Sequence, residues 1–130
     1  ERLNLYKELN QIKDNDSLIS FEQKLKDRFG KLPDKIAILF NAIKLRWVGK
    51  KLGFEKIVLK NNSLRAFFTT DKNSNYFESI YFKKIMNYLR ENPKDCQVKE
   101  NRGKLSLRKE GIMEINQALG LFNKLINQKT

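Results

Sequence analysis

The stretch "FEKIVLKNNSLRAFFTT", residues 54–70, changes the rhythm of the chain. Before it, apolar residues recur every three or four positions. Within it the period shortens towards two, the spacing that puts successive side chains on opposite faces of a strand. The reading is a strand at 54–60, a turn at "NNS" (61–63) and a second strand at 64–70. Asn61 and Asn62 are residue types that accept the positive φ of a tight hairpin. Phe67 and Phe68 are adjacent, so one faces the core and the other lies under a helix or at an edge.

Downstream the same unit is written again. A fourth helix is expected from about Tyr76 to Asn92, with Ile80, Tyr81, Ile85, Tyr88 and Leu89 at helical spacing and Pro93 closing it. "CQVKE" (96–100), the turn "NRG" (101–103) and "KLSLR" (104–108) form a second hairpin. A last helix runs from about Gly111 to Asn127, with Ile112, Ile115, Leu119, Phe122 and Ile126 on one face. The two β-β-α units share no clear sequence identity. Two hairpins side by side make one four-stranded, largely antiparallel sheet with helices on one face.

Upstream the chain reads as helix throughout. Leu5, Leu9 and Ile12, with Tyr6 alongside, give a first helix over about Arg2 to Lys13. "DND" (14–16) breaks it, and Ser17 stands as the N-cap of a second helix striped by Leu18, Phe21, Leu25 and Phe29. Gly30 fits the position after its end, and Pro33 fits the first turn of the next helix, where no N–H is needed. That third helix reaches about Leu52. Ile36, Leu39, Phe40, Ile43 and Trp47 form one stripe and Ala37, Ile38, Ala42, Leu45 and Val48 another, so it is covered on two sides. The fold class is α+β, three helices followed by two β-β-α units, in a single domain over 1–130 with no internal linker.

Composition narrows function mostly by exclusion. The 130 residues include one cysteine, Cys96, and no histidine. A zinc site, a Ser-His-Asp triad and a Cys-His dyad all lack their parts. The glycines do not cluster before a helix as a phosphate-binding loop requires, and the carboxylates are scattered. No enzymatic site and no cofactor are expected in this chain. The lone thiol fits a reducing, cytoplasmic compartment, and no apolar run approaches the roughly 20 residues that span a bilayer. The sequence opens without Met and reads as a piece of a longer protein.

The net charge is +12, from 27 Lys and Arg against 15 Asp and Glu. Residues 1–30 sum to zero, 31–60 to +6, 61–95 to +2 and 96–130 to +4. Two readings stand side by side: a Lys-rich solubility coat, or a surface for a polyanion or an acidic protein. Lys99, Arg102, Lys104, Arg108 and Lys109 in the second hairpin, with the cations of the third helix, are the candidates to meet phosphates. The aromatics read as core rather than as base-stacking platforms.

The corner "DRFGKLP" (27–33) stops one helix and starts another. Arg28 suits a helix C-terminus, whereas Asp27 opposes the dipole there unless Lys24 or Lys31 offsets it. Its charges serve either a local capping network or an outward contact.

"RLNLYKEL" (2–9), "LKDRFGKLPDKIAILFNAIKLR" (25–46) and "KKLGFEKIVLK" (50–60) together resemble the carboxy-terminal domain of the bacterial transcription-repair coupling factor. The resemblance is dense to about residue 70 and thins beyond. It implies a parent that is an ATP-driven DNA translocase, with RNA polymerase and DNA handled by other domains. It implies further that this domain is regulatory, packing on an amino-terminal UvrB-like module of the same chain and hiding the surface that UvrA would bind. In the family's "E-L-x-D-R-F-G" stretch the charged positions contribute to that contact, which maps the interface to Asp27, Arg28 and Lys24. Lys24 stands where the family has Glu, reversing one charge. Phe29, Gly30 and Pro33 hold the corner. The alternative is a basic module that holds the translocase on DNA.

Overall fold

The computed structural model describes residues 2–71 and 74–130. Glu1 and, in the polar loop, Lys72 and Asn73 lie outside the described residues, as do the side chains of Arg2, Leu3, Asn4 and Tyr6. Five helices and four strands follow in the order α1 (Arg2–Gln11), α2 (Asn15–Phe29), α3 (Asp34–Leu52), β1 (Phe54–Lys60), β2 (Ser63–Phe68), α4 (Ile80–Glu91), β3 (Gln97–Asn101), β4 (Lys104–Glu110) and α5 (Ile115–Ile126). The fold is α+β, with an all-antiparallel sheet in the order β1-β2-β4-β3. The residues fall into two compact units, 1–44 and 45–130.

In the second unit, both hairpins close through two-residue turns with positive φ at both positions. Asn61 and Asn62 have φ of 53° and 58°, and Arg102 and Gly103 have 54° and 79°. Such turns match the right-handed twist of the strands they join. They leave Ser63 and Asn101 paired within the strands, so each turn is shorter than its three-residue motif implies. A bulge between Phe54 and Lys56 breaks the alternation at the start of β1.

The sheet's core face carries Leu64, Ala66, Phe68 and Leu107, all 0–1% exposed. Ile85 and Tyr88 of α4 and Ala118, Phe122 and Leu125 of α5 belong to the same buried cluster. Phe54 sits with its ring centroid 5.0 Å from Phe68 and 5.1 Å from Phe122, and Phe82 meets Phe68 edge-on at 5.7 Å. Each such pair adds about 0.5–1.5 kcal/mol beyond its buried area. Gly53 ends α3 at φ 100°, and a side chain there would overlap the Tyr76 ring, whose hydroxyl donates to the Leu52 carbonyl.

Two helices start later than their apolar spacing implies. Residues 76–78 form a 3-10 turn, and Ser79 caps α4, its hydroxyl accepting from the Phe82 N–H at 3.3 Å. Helix α5 begins at Ile115 behind a capping box in which the Gln117 side chain accepts from the Glu114 N–H at 3.0 Å. Ile112, assigned by spacing to that helix, is instead buried from the preceding loop. In both places apolar periodicity overran a cap, because a buried loop residue has the same hydrophobic signature as a helical one.

Candidate functional site

The corner belongs to the first unit, and its geometry starts from two helix ends. Helix α2 begins earlier than Ser17. Asp14 is the N-cap, accepting from the Ser17 N–H at 2.7 Å and from the Ser17 hydroxyl at 2.9 Å. Those bonds, the backbone one first, hold the Asp14 carboxyl below its ordinary pKa. The "DND" break is therefore itself the start signal, with Ser17 at its third position.

At the other end Gly30 has φ 79° and ψ −150°, a region that essentially only glycine occupies, and its N–H donates to the Lys26 carbonyl at 2.8 Å. The Pro33 carbonyl accepts from the Ile36 and Ala37 N–H groups at 3.0 Å each. Pro33 thus stands one position before α3, and its missing N–H costs no hydrogen bond. Between them Leu32 is buried. Farther from the turn Phe21 and Phe40 pack with centroids 6.0 Å apart, and Lys44 pairs with Glu22 at 2.9 Å.

The candidate residues diverge from this frame. Lys24 and Arg28, one helical turn apart, line a cleft of about 810 Å³ whose other walls include Glu8, Gln11, Asp14 and Phe21. Asp27 does not line it. Its carboxylate accepts from the Gln23 side-chain amide at 2.9 Å, and neither Lys24 nor Lys31 pairs with it. The expected offset of its charge by a lysine is replaced by a neutral donor one turn back. Phe29 leaves the α2 stripe as well. It is 59% exposed, with the Arg28 guanidinium carbon 5.3 Å from its ring centroid. Ile19 on α2, two turns before Asp27, is 49% exposed, and Ile38 of α3 is 54% exposed. Ile38 sits in an apolar stripe that reads as core, and Ile19 lies outside the α2 stripe, so sequence singles out neither as a surface residue.

The other surface that sequence reading left unassembled lies on the sheet. Alternation and register put Lys56, Lys60, Arg65, Lys99, Lys104 and Arg108 on the face opposite the core. Only the two hairpin registers taken with the β2–β4 pairing reveal that grouping. Among the described residues no group of three or more Cys, Asp or Glu side chains is placed to hold a metal ion. No described helix is long and apolar enough to cross a membrane.

Three helices leading into a two-hairpin sheet define an α+β fold, and comparison with known proteins gives the chain a family. The model of the TRCF domain matches residues 1–79. A solved structure described as the C-terminal domain of transcription-repair coupling factor superposes with a TM-score of 0.72 at 19% identity, covering 95% of this chain and 78% of that one. Curated proteins give no match. The chain belongs to the TRCF domain family, and its fold is that of the C-terminal domain of a transcription-repair coupling factor.

Proposed function

We propose that this chain is the non-catalytic regulatory domain of a transcription-repair coupling factor, and that its helical corner clamps a UvrB-like amino-terminal module of the same protein. In the closed state the contact covers the surface UvrA would take and restrains the ATP-driven translocase. Engagement of stalled RNA polymerase, through other domains, shifts the population to the open state.

The observation that carries this reading is the exposed Asp27, whose one side-chain bond among the described residues is to a neutral amide, next to an exposed Phe29. A charged group flanked by a bare aromatic is the composition of a contact rim around an anchor. A capping network would instead have placed a cation on Asp27. Lys24, the position of reversed charge, faces the cleft with Arg28, so the two cations and the acid address different directions.

Calorimetric titration of this chain against the UvrB-like module of its own parent tests the clamp. Asp27→Arg is expected to weaken that binding while leaving the melting temperature of the isolated chain within a few degrees. In the full-length protein the same substitution raises ATPase activity and UvrA binding. Unchanged affinity with Asp27→Arg would remove the corner from the contact.

A further inference from the structure

The first strand pair sets Lys56 opposite Phe67 and Val58 opposite Arg65. The central pair sets Phe67 opposite Ser106 and Arg65 opposite Arg108, and the outer pair sets Ser106 opposite Lys99 and Arg108 opposite Gln97. Two rows therefore cross all four strands on the side away from the core. One runs Lys56, Phe67, Ser106, Lys99, and the other runs Val58, Arg65, Arg108, Gln97. Lys60 and Lys104 lie farther along β1 and β4 on the same side. Against these six cations the face carries two carboxylates at its margins, that of Glu110 and that of Glu55 in the β1 bulge, which accepts from the Thr70 N–H at 3.3 Å. The opposite side of β4 differs, for there Lys109 is ion-paired to Asp95 at 2.6 Å.

None of the six cations is ion-paired among the described residues. All but Arg108 are exposed. Arg108 is half-buried, its Nε donating to the Ser106 hydroxyl at 3.3 Å. Ser106 is 2% exposed, so the centre of the face is floored by a small side chain beside the half-buried Phe67 ring. The Lys56 ammonium lies 5.8 Å from that ring's centroid.

We infer that this open sheet face binds single-stranded nucleic acid. Like charges gathered on one face repel one another, and a bound polyphosphate relieves that repulsion while releasing its own counterions. Phe67, central among the cations, offers a ring on which a base stacks. A flat sheet face presents no helix or two-stranded ribbon to enter the major groove of a duplex, which selects an unpaired strand. An apolar protein partner is disfavoured, since Val58 and Phe67 are the only apolar side chains of the two rows. The inference is independent of the clamp, whose residues lie in the first unit.

The test is fluorescence anisotropy of the 130-residue chain with labelled oligothymidylate and oligouridylate of about 20 nucleotides, titrated with salt from about 50 mM. Binding is expected with either sugar. Arg65→Ala combined with Lys99→Ala removes two phosphate contacts, which weakens binding by about tenfold and makes the log–log salt slope shallower by about 1.4. Phe67→Leu keeps the bulk but not the aromatic face, and weakens binding by about fivefold or more with the slope unchanged. Lys83→Ala combined with Lys124→Ala, exposed cations on α4 and α5, leaves affinity within about twofold. Equal losses from the two lysine and arginine pairs would overturn the inference, because net charge alone would then explain them. So would a duplex of the same length bound as tightly as the single strand, or polyglutamate competing as well as the oligonucleotide, the latter assigning the face to acidic protein. No binding at low salt also overturns it.

Discussion

Asp95 joins α4 to β4, an internal strand of the sheet, and its removal is the sharpest test of how the second unit is held together. One carboxylate oxygen accepts from the Lys109 ammonium at 2.6 Å, and the other accepts from the Tyr88 hydroxyl. The ammonium also donates to the Asp95 carbonyl at 3.1 Å. The two charged side chains keep 23% and 31% of their surface exposed. A charge-assisted hydrogen bond contributes about 1.5–3 kcal/mol when buried, and this degree of exposure screens the pair towards the lower values of surface ion pairs. The expected coupling in a double-mutant cycle of Asp95→Asn with Lys109→Met is therefore about 1 kcal/mol. Asn keeps the shape and can still accept from Tyr88, so the cycle isolates the charge. The backbone contact of Lys109 is lost in both arms that carry Met, and cancels.

The pH dependence gives a second readout. Hydrogen bonds from Lys109 first, and from Tyr88, hold the Asp95 carboxyl below its ordinary pKa. A depressed carboxylate pKa adds stability above the unfolded-state value of about 4, and that stability is lost as pH falls through the folded-state value. The gap between wild type and Asp95→Asn, measured by urea unfolding, should be full at neutral pH and shrink in acid. A coupling below about 0.3 kcal/mol, or a gap that grows in acid, would refute the assignment of the pair as a fastening.

Two further outcomes follow from local geometry. Gly53→Ala adds the strain of positive φ, the overlap with the Tyr76 ring and the loss of that ring's bond to Leu52, for a total of about 3 kcal/mol read as a lowered urea midpoint. A cost below about 1 kcal/mol would mean the ring moves aside freely. Cys96 is buried, and burial first, with the Asp95 charge second, pushes its thiol pKa up to about 11. It should resist thiol-disulfide reagents at about pH 8 in the folded protein and react at once in urea, whereas fast labelling of native protein would show that the site opens.

The two proposed contact surfaces lie in different units. The corner presents an acid and an aromatic, and the sheet presents a field of cations. Lys24 illustrates the division within the corner itself. Its helix position puts it in the cleft wall beside Arg28, a wall that Asp27 does not join.

By itself the sequence determined the order of the elements, the hairpin turns and the helix-breaking corner, though not the caps that start α2, α4 and α5. Residues 54–70 declared a hairpin because period-two spacing and an Asn-Asn turn are local requirements, and Asn61 and Asn62 adopt the positive φ those residues permit. Gly30 and Pro33 marked the corner for equally local reasons, one glycine-only conformation and one carbonyl that opens a helix. Tertiary structure decided what depends on partners distant in the chain. Ile112 reads as helix and is a buried loop residue, while Phe29 and Ile38 read as core and are exposed, because periodicity records that a side chain is apolar and not what covers it. The pair Lys56 and Arg65 is separated from the pair Lys99 and Arg108 by more than thirty residues, and the four carry no common motif. Only the antiparallel registers, with β2 paired to β4 at the centre of the sheet, bring them onto one face.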